Sequence, residues 1–314
     1  MPVTPRAPHG VLLVDKPAGP TSHDVVLRVR RALGTPAAGH TGTLDPAATG
    51  LLAVCLGDAL KLQRWLADGD KAYQAVVAFG AATDTEDATG QVTGRGDPAG
   101  LTEAALRAAL PALTGEVRQV PPMYSAVRVD GRRLHEAARA GETVAREPRT
   151  VVVHALELHG LGPAGPDGLR LARLTVRCGK GTYVRTLAAD LGAAVGVPAH
   201  LADLRRTQAG PFGLDAATPL EEVEGLAAGG KAGQERLLGL LVPPAEALPF
   251  PAVLVDAPRA RAVAQGKVIT APGEDGLRRV LLEPGGRLLA VSELRSGQLR
   301  PLRVMLTPAE LGQG

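Results

Sequence analysis

Residues 39–50 carry the stretch GHTGTLDPAATG, in which one acidic residue, Asp45, lies between two glycines that permit turns, Gly42 and Gly50. A proline directly after the acid fixes the backbone, and the surrounding threonines and backbone amides offer hydrogen-bond donors. The apolar run 51–56 then leads the chain back into a core. A carboxylate held in this way suits a nucleophile or a base that must meet its substrate in one geometry. The same pattern also fits an Asx-type turn without chemistry.

Length and composition indicate two domains with a well-filled core. The chain has 314 residues, more than most single domains, and 45% of them are hydrophobic. No apolar run is long enough to span a membrane, and the N-terminal segment lacks the apolar stretch of a signal peptide. The two cysteines, Cys55 and Cys178, form neither a disulfide framework nor a zinc cluster. The sequence therefore predicts a soluble, cytoplasmic protein with reduced thiols.

The basic residues of the chain are mostly arginine, although the net charge of +3 is small. Only six of the 35 basic residues are lysine. Arginine binds phosphate through two parallel hydrogen bonds and stacks on bases, so an arginine-rich surface suits nucleic acid. The base composition of a genome explains the same bias equally well, so charge alone leaves the partner open.

The periodicity of the chain predicts a mixed α/β (α+β) organisation. Strands are predicted over 10–15, 73–79, 151–158 and 169–177. Helices are predicted over 102–113 and 186–195, and up to Leu33 from a cap at Thr21 or Ser22. A polar loop is expected over 83–100, and a proline-rich hinge over 243–251 that we take as a domain boundary. Beyond it, β-like runs at 280–283, 288–293 and 302–306 predict a small barrel-like unit.

The three tyrosines are distinctive because aromatic residues make up only 2% of the chain. Tyr183 precedes Arg185 by two positions, so in a strand both side chains would project from one face, where they could stack a base and bind an anion. A cross-strand aromatic beside a surface arginine fits the same spacing. Packing is the simpler interpretation for Tyr73, at the start of a predicted strand, and for Tyr124, after a proline turn.

Several well-known motifs are absent from the sequence. The stretch 179–182 lacks the upstream glycine and the Lys-Ser/Thr pair of a phosphate-binding P-loop. The seven histidines show no metal-ligand spacing, so no metal site is expected. His40 differs from the others only because it adjoins the Asp45 stretch.

Taken together, the stretch around Asp45 resembles the catalytic-aspartate motif of the bacterial tRNA pseudouridine synthase B family. Further segments follow this family's order and similar spacing between residue 10 and about residue 212. They are 12–22, 71–73, 83–85, 121–126, 178–186, 199–201 and 204–206. Agreement at several separated places favours this interpretation over the non-catalytic ones. The C-terminal part resembles the small RNA-binding PUA domain less closely.

The resemblance implies a pseudouridine synthase fold, in which helices flank a large, mostly antiparallel sheet. A catalytic domain over 1–245 would include an RNA-gripping thumb at about 124–150, and a PUA-like RNA-binding domain would occupy 246–314. The family isomerises uridine 55 in the T loop of tRNA to pseudouridine without cofactor or metal. The base is flipped out, detached from the ribose at N1, turned and rejoined through C5. The expected partner is tRNA, with no membrane, no obligatory protein partner and room for an added tRNA-folding chaperone role.

The resemblance also implies roles for the site residues. Asp45 is the essential acid, which either attacks the sugar or removes a ribose proton, and Arg185 pairs with it and keeps it ionised. Tyr73 stacks on the uracil and helps to move its proton, while Tyr183 and Leu204 complete the pocket wall.

Binding of the RNA is expected to involve a further histidine and a group of arginines. His40 would occupy the stack that the flipped base leaves, and phosphate contacts are expected from the thumb. The candidate thumb residues are Arg128, Arg132, Arg133 and Arg139. His135 stands where the family has an aromatic residue, which puts the thumb contacts in doubt.

Two other functions compete with this interpretation. A non-catalytic RNA-binding or RNA-chaperone protein could share the fold, although the presence of Asp45, Tyr73 and Arg185 argues against a loss of chemistry. An unrelated hydrolase with an aspartate nucleophile would need a second acid or a metal partner that the sequence does not supply.

Overall fold

The computed structural model of the protein describes residues 8–124, 128–129, 132–133, 144–284 and 286–312. Its strands in chain order are β1 (Gly10–Lys16), β2 (Ala38–His40), β3 (Thr49–Leu56), β4 (Lys71–Phe79), β5 (Ala81–Thr83), β6 (Val92–Arg95), β7 (Gly115–Gln119), β8 (Arg128–Val129), β9 (Arg132–Arg133), β10 (Arg149–Ala164), β11 (Arg170–Cys178), β12 (Ala199–Ala209), β13 (Phe212–Gly213), β14 (Thr218–Pro219), β15 (Ala252–Val255), β16 (Ile269–Thr270), β17 (Gly276–Leu282), β18 (Arg287–Arg295) and β19 (Gln298–Val304). The helices described are α1 (Ser22–Ala32), α2 (Gln63–Ala67), α3 (Glu103–Ala109), α4 (Val184–Ala194), α5 (Leu220–Ala228), α6 (Gly230–Gly239) and α7 (Ala257–Ala264).

A large sheet with the strand order β14-β1-β3-β12-β4-β11-β10-β7 organises the N-terminal part of the chain. The short strands β2 and β13 pair with β3 and β12 beside this path. The pairings are antiparallel except for β1 with β14 and β3 with β12. The central strand β12 therefore joins two antiparallel groups of strands, and the residues of both groups meet along it.

The helices that position the candidate site all pack on one face of this sheet. Helices α1, α5 and α6 cover alternate residues of β1 and β3, and α3 and α4 cover alternate residues of β4 and β11. Because residues paired across strands share a face, the register puts both groups on the same side. The loop that carries Asp45 lies between them, bonded to Ser22 of α1 and to Arg185 of α4.

Helices α1 and α3 begin where their capping residues predict. The Thr21 side chain accepts a hydrogen bond from the backbone N–H of Asp24, and the Asp24 carboxylate accepts one from the Thr21 backbone, which forms a capping box. Thr102 caps α3 in a similar way. In the described part of the chain, no helix is long and apolar enough to cross a membrane.

Two local predictions are wrong. Tyr183 and Arg185 do not lie in a strand: Tyr183 is the N-cap of α4, and Arg185 lies in the first turn of that helix. The left-handed φ of 83° at Gly181 turns the chain out of the direction of β11. The polar stretch 83–100 is also not a simple loop, because it contains β6, which pairs with β5 directly before the stretch to form a hairpin.

The C-terminal part forms a second sheet with the strand order β15-β17-β18-β19-β16, covered by α7. The predicted fold class, a mostly antiparallel sheet with helices and a small β-rich C-terminal unit, is therefore confirmed. Leu288 and Val291 of this second sheet join the apolar cluster around Trp65, behind β1 and β3. The division into domains at residues 245 and 246 stays a prediction, since both sides of that boundary share this cluster.

Both cysteines are buried and unpaired in the described structure. Burial raises the pKa of Cys55 to about 12 and the pKa of Cys178 to about 11. Both thiols are therefore protonated at neutral pH and poor nucleophiles.

We predict that Gly50→Ala strongly destabilises the protein. Gly50 has a left-handed φ of 97°, and a Cβ at this position would overlap the backbone carbonyl of Arg206 on the neighbouring strand. Steric overlap and backbone strain together should lower the free energy of unfolding by about 2–4 kcal/mol. Gly42→Ala in the same loop is the control, because its Cβ would have ordinary contacts of 3.5 Å or more. Equal urea midpoints for the two variants would contradict this account.

Candidate active site

The loop that carries Asp45 is held at its apex by hydrogen bonds to its backbone. The Ser22 hydroxyl donates to the Leu44 carbonyl at 2.9 Å and accepts from the Leu44 N–H at 2.8 Å, so one buried side chain satisfies both backbone groups. The Gly19 N–H donates to the Pro46 carbonyl at 2.8 Å. These contacts fix the backbone on both sides of the acid.

Two buried cations bind the same loop from beneath. The Lys16 ammonium donates to the carbonyls of Pro46 at 3.0 Å and Ala48 at 2.6 Å. The Arg206 guanidinium donates to the carbonyls of Gly42 at 3.1 Å and Thr43 at 3.3 Å. Both side chains are almost completely shielded from solvent. The loop carbonyls thus compensate the cost of burying the two charges, and the charges in turn fix the loop.

The residues that support the loop occupy one row across the sheet. Lys16 of β1 pairs with Gly50 of β3, Gly50 pairs with Arg206 of β12, and Arg206 pairs with Tyr73 of β4. Paired residues share a face, so Lys16, Arg206 and Tyr73 all project towards the Asp45 loop. Gly50 has no side chain, which leaves room in the row for the close approach of β12.

Asp45 forms an ion pair with Arg185. The Arg185 Nε lies 2.9 Å from the Asp45 Oδ2, and the Asp45 side chain remains 40% exposed whereas that of Arg185 is 5% exposed. A ligand can therefore reach the acid but not its partner. Burial raises the pKa of Asp45, against the effect of Arg185, and the nearby Asp87 carboxylate raises it further while Lys16 opposes.

Arg185 is held by a turn that follows β5. Its Nη1 donates to the Thr85 carbonyl at 2.9 Å and lies 3.6 Å from the Asp87 carboxylate, while its Nη2 donates to the Tyr124 carbonyl at 2.9 Å. Glu86, between these contacts, has a left-handed φ of 63° and accepts a hydrogen bond from the Thr186 hydroxyl. The turn thus fixes the guanidinium on the side away from Asp45.

The other expected site residues lie around this pair. Tyr73 and Leu204 are buried in the same apolar cluster as Leu44, directly beneath the loop. Burial raises the pKa of Tyr73, with the nearby Arg206 opposing. Tyr183 is half-buried, and the Gln119 side chain holds its backbone through hydrogen bonds of 3.0 and 3.2 Å.

His40 lies half-buried at the end of β2. Its backbone carbonyl accepts a 2.6 Å hydrogen bond from Gln63, and its buried Nδ1 has no hydrogen-bond partner among the described residues. Burial lowers the pKa of His40, and Arg206 and His23 lower it further. The imidazole therefore tends to be neutral, which suits a side chain that would stack in a nucleic acid.

The structure corrects one expectation and leaves others outside the described residues. Within the described chain, no threonine of the 39–50 stretch donates to the Asp45 carboxylate; the Thr49 hydroxyl instead points at the Leu204 carbonyl. The carboxylate of Asp45 is instead contacted by Arg185 of α4. Four arginines are expected to bind phosphate, and their side chains lie outside the described part of the structure, as does His135. They are Arg128, Arg132, Arg133 and Arg139.

Local sequence patterns indicate no role in the site for four residues that build it. They are Lys16, Ser22, Asp87 and Arg206. Lys16 and Arg206 belong to stretches that carry the family resemblance, but nothing local indicates that their charges are buried. Among the described residues, no cluster of three or more His, Cys, Asp or Glu side chains is arranged to hold a metal ion.

Comparison with known proteins covers nearly the whole chain. The family model for the TruB family pseudouridylate synthase N-terminal domain matches residues 30–184. Models for the tRNA pseudouridylate synthase B C-terminal domain and for the tRNA pseudouridine synthase II C terminus match residues 185–248 and 250–306.

Relatives named tRNA pseudouridine synthase B include the protein from Aromatoleum aromaticum, which is 48% identical over 98% of this chain and 96% of its own. The protein of the same name from Symbiobacterium thermophilum is 50% identical over 82% of each chain. Among solved structures, that of a Cbf5-Nop10-Gar1 complex has a TM-score of 0.73 at 24% identity, over 97% of this chain and 87% of the other. The archaeal box H/ACA sRNP Nop10-Cbf5 complex has a TM-score of 0.71 at 25% identity, over 97% and 88%. These two structures share the fold of this chain.

We predict that Lys16→Met changes how stability depends on pH. Burial lowers the pKa of Lys16 from 10.5 to about 8. Between these values the unfolded chain binds a proton that the folded protein has released, so the Lys16 contribution to the free energy of unfolding rises with pH. From pH 8 to pH 10.5, the advantage of the wild type over the variant should grow by about 1–3 kcal/mol in urea titrations. For the control, Lys231→Met, whose side chain is 92% exposed, the difference should stay constant. A difference in the free energy of unfolding between wild type and Lys16→Met that does not change with pH would contradict the lowered pKa of Lys16.

Proposed function

This chain belongs to the TruB family of pseudouridylate synthases, and from that premise we propose that it isomerises uridine 55 in the T loop of tRNA to pseudouridine. The observation that carries the proposal is the solvent-accessible Asp45 carboxylate, which is paired with a buried guanidinium and supported by a row of sheet residues. The relatives' printed name, tRNA pseudouridine synthase B, supports tRNA as the substrate.

The reaction begins when the target uridine leaves the T loop. Unstacking a base costs a few kcal/mol, and the half-buried, neutral imidazole of His40 fills the space that the base vacates. The flipped uracil then lies against Tyr73, with Leu204 and Tyr183 along the wall of the pocket. The burial of Tyr73 and Leu204 supports this placement, because a pocket wall that excludes water helps to retain the detached uracil.

Asp45 acts on the ribose of the flipped nucleotide. It either attacks C1′ or removes a ribose proton, and in both cases the N1–C1′ bond breaks and uracil is released within the pocket. Arg185 holds the acid ionised and aimed until the ribose arrives, since its own position is fixed by Thr85 and Asp87. The uracil turns, and C5 bonds to C1′. Tyr73 helps to transfer the C5 proton.

Binding of the tRNA involves further groups besides these site residues. The thumb arginines supply phosphate contacts, and the PUA-like C-terminal sheet is an RNA-binding unit. We place this activity in the cytoplasm, where tRNA is found, and the protein acts without an obligatory protein partner. Because the tRNA must be bound and locally unfolded, the same surfaces allow an added role as a tRNA-folding chaperone.

We expect the wild-type protein to release one tritium per tRNA from an unmodified transcript labelled at uridine C5, without added nucleotide. Asp45→Asn should release none, because the amide can neither attack the sugar nor accept its proton, and should still bind tRNA within about threefold of the wild type. Tritium release and filter binding measure the two effects.

Two controls make this experiment specific. Asp203→Asn changes an exposed acid on β12 in the same way and should retain full activity. A transcript with cytidine in place of uridine 55 should show no release above background. Full binding without release by the wild type would favour the non-catalytic RNA-chaperone function, and release from another uridine would reject position 55.

A further inference from the structure

Arg206 is a buried cation that the mechanism above does not use. Its side chain is 1% exposed, and its three hydrogen-bonding groups donate to the carbonyls of Leu51, Thr43 and Gly42. Within the described residues, no carboxylate lies at ion-pair distance from its guanidinium. Arg206 is also the cross-strand partner of Tyr73, against which the uracil would lie. The positive charge of this buried arginine is therefore not compensated by a direct ion pair.

The buried cations around the candidate site are unevenly paired with carboxylates. Three cations, Lys16, Arg185 and Arg206, are almost completely buried there. The carboxylates Asp45, Asp87 and Glu86 all lie around Arg185, whereas no described carboxylate lies at ion-pair distance from Lys16 or Arg206. The field of Arg206 reaches its neighbours, because it lowers the pKa values of Lys16, Lys71 and His40 beyond the larger effect of burial. The positive charges of Lys16 and Arg206 thus lie in a region of low dielectric constant without a direct ion-pair partner.

The proposed reaction moves a negative charge into this region. When the N1–C1′ bond breaks, its electron pair stays with the uracil, which becomes an anion. At the same time the Asp45 carboxylate becomes neutral, either by bonding to C1′ or by taking a ribose proton. When C5 bonds to C1′, the Asp45 charge is restored and the C5 proton moves to N1. The negative charge therefore moves from beside Arg185 to beside Tyr73 and back.

We propose that Arg206 is a positioning residue whose buried charge stabilises the uracil anion and whose hydrogen bonds fix the Asp45 loop relative to Tyr73. The inference rests on the function proposed above. One guanidinium thus performs two tasks: it sets the distance between the acid and the aromatic wall, and it supplies a fixed positive field where the anion forms. Such preorganised charges act without rearrangement during the reaction.

The test compares Arg206→Gln, which removes the charge, with Arg206→Lys, which keeps it. At saturating enzyme, Arg206→Gln should slow a single turnover of tRNA about 100-fold or more, with tRNA affinity within about threefold of the wild type. Arg206→Lys should recover a large part of that loss. Arg205→Gln is the matched control, since Arg205 is half-exposed on the opposite face and pairs with Asp15 at 2.6 Å. It should react within about threefold of the wild type.

A titration without RNA tests whether the charge of Arg206 acts on the site, because Arg206→Gln and Arg206→Lys differ in that charge. NMR of the histidine ring protons, assigned with His40→Asn, measures the pKa of His40, which Arg206 and His23 both lower. That pKa should rise in Arg206→Gln and stay near the wild-type value in Arg206→Lys.

Three results would overturn the inference. They are a folded Arg206→Gln variant that turns over at the wild-type rate, a loss that appears only as weaker tRNA binding, and a failure of both variants to fold, which would make the residue structural only. An inactive wild type would reject the proposed function together with this inference. An active wild type with an unimpaired Arg206→Gln variant rejects the inference alone.

Discussion

Buried positive charge beneath the Asp45 loop is the constraint on which the site depends. A loop with this many turns would leave several carbonyls without partners if it were simply folded onto an apolar sheet. Lys16 and Arg206 supply those partners. The carbonyls in turn compensate one ammonium and one guanidinium charge, each of which would be costly to bury alone. Neither the loop nor the cations would be stable in this arrangement without the other.

This mutual dependence explains why the sheet is built as it is. Lys16, Arg206 and Tyr73 come from β1, β12 and β4, which are brought into one row only because β12 runs parallel to β3 and antiparallel to β4. Gly50 allows the close approach of β3 and β12 that the row needs. The helices then add two buried side chains that hold the acid and its loop from either side, Ser22 at the start of α1 and Arg185 in the first turn of α4. A rigid support beneath the loop and a solvent-accessible acid are thereby combined in one site.

The sequence predicts those parts of the site that lie close together along the chain. The Asp45 stretch, the helix cap at Thr21 or Ser22, strand β1 and the apolar run 51–56 follow from local turn, capping and apolar patterns. Strand β12 is not predicted, because its arginines break the apolar pattern of a strand. In the fold, Arg206 is buried among backbone carbonyls and Arg205 pairs with Asp15. The strand interpretation of Tyr183 and Arg185 failed for a related reason, since the turn at Gly181 ends β11 before them. Long-range pairing decides both cases, and no local pattern contains it.

The structure of the Asp45→Asn variant bound to a T stem-loop RNA would test the central claim most directly. The account predicts that the target uracil lies outside the RNA stack, against Tyr73 and Leu204, with C1′ of its ribose beside residue 45 and His40 in the vacated space. A target base that stays stacked in the loop, or that binds away from the row formed by Lys16, Arg206 and Tyr73, would contradict it.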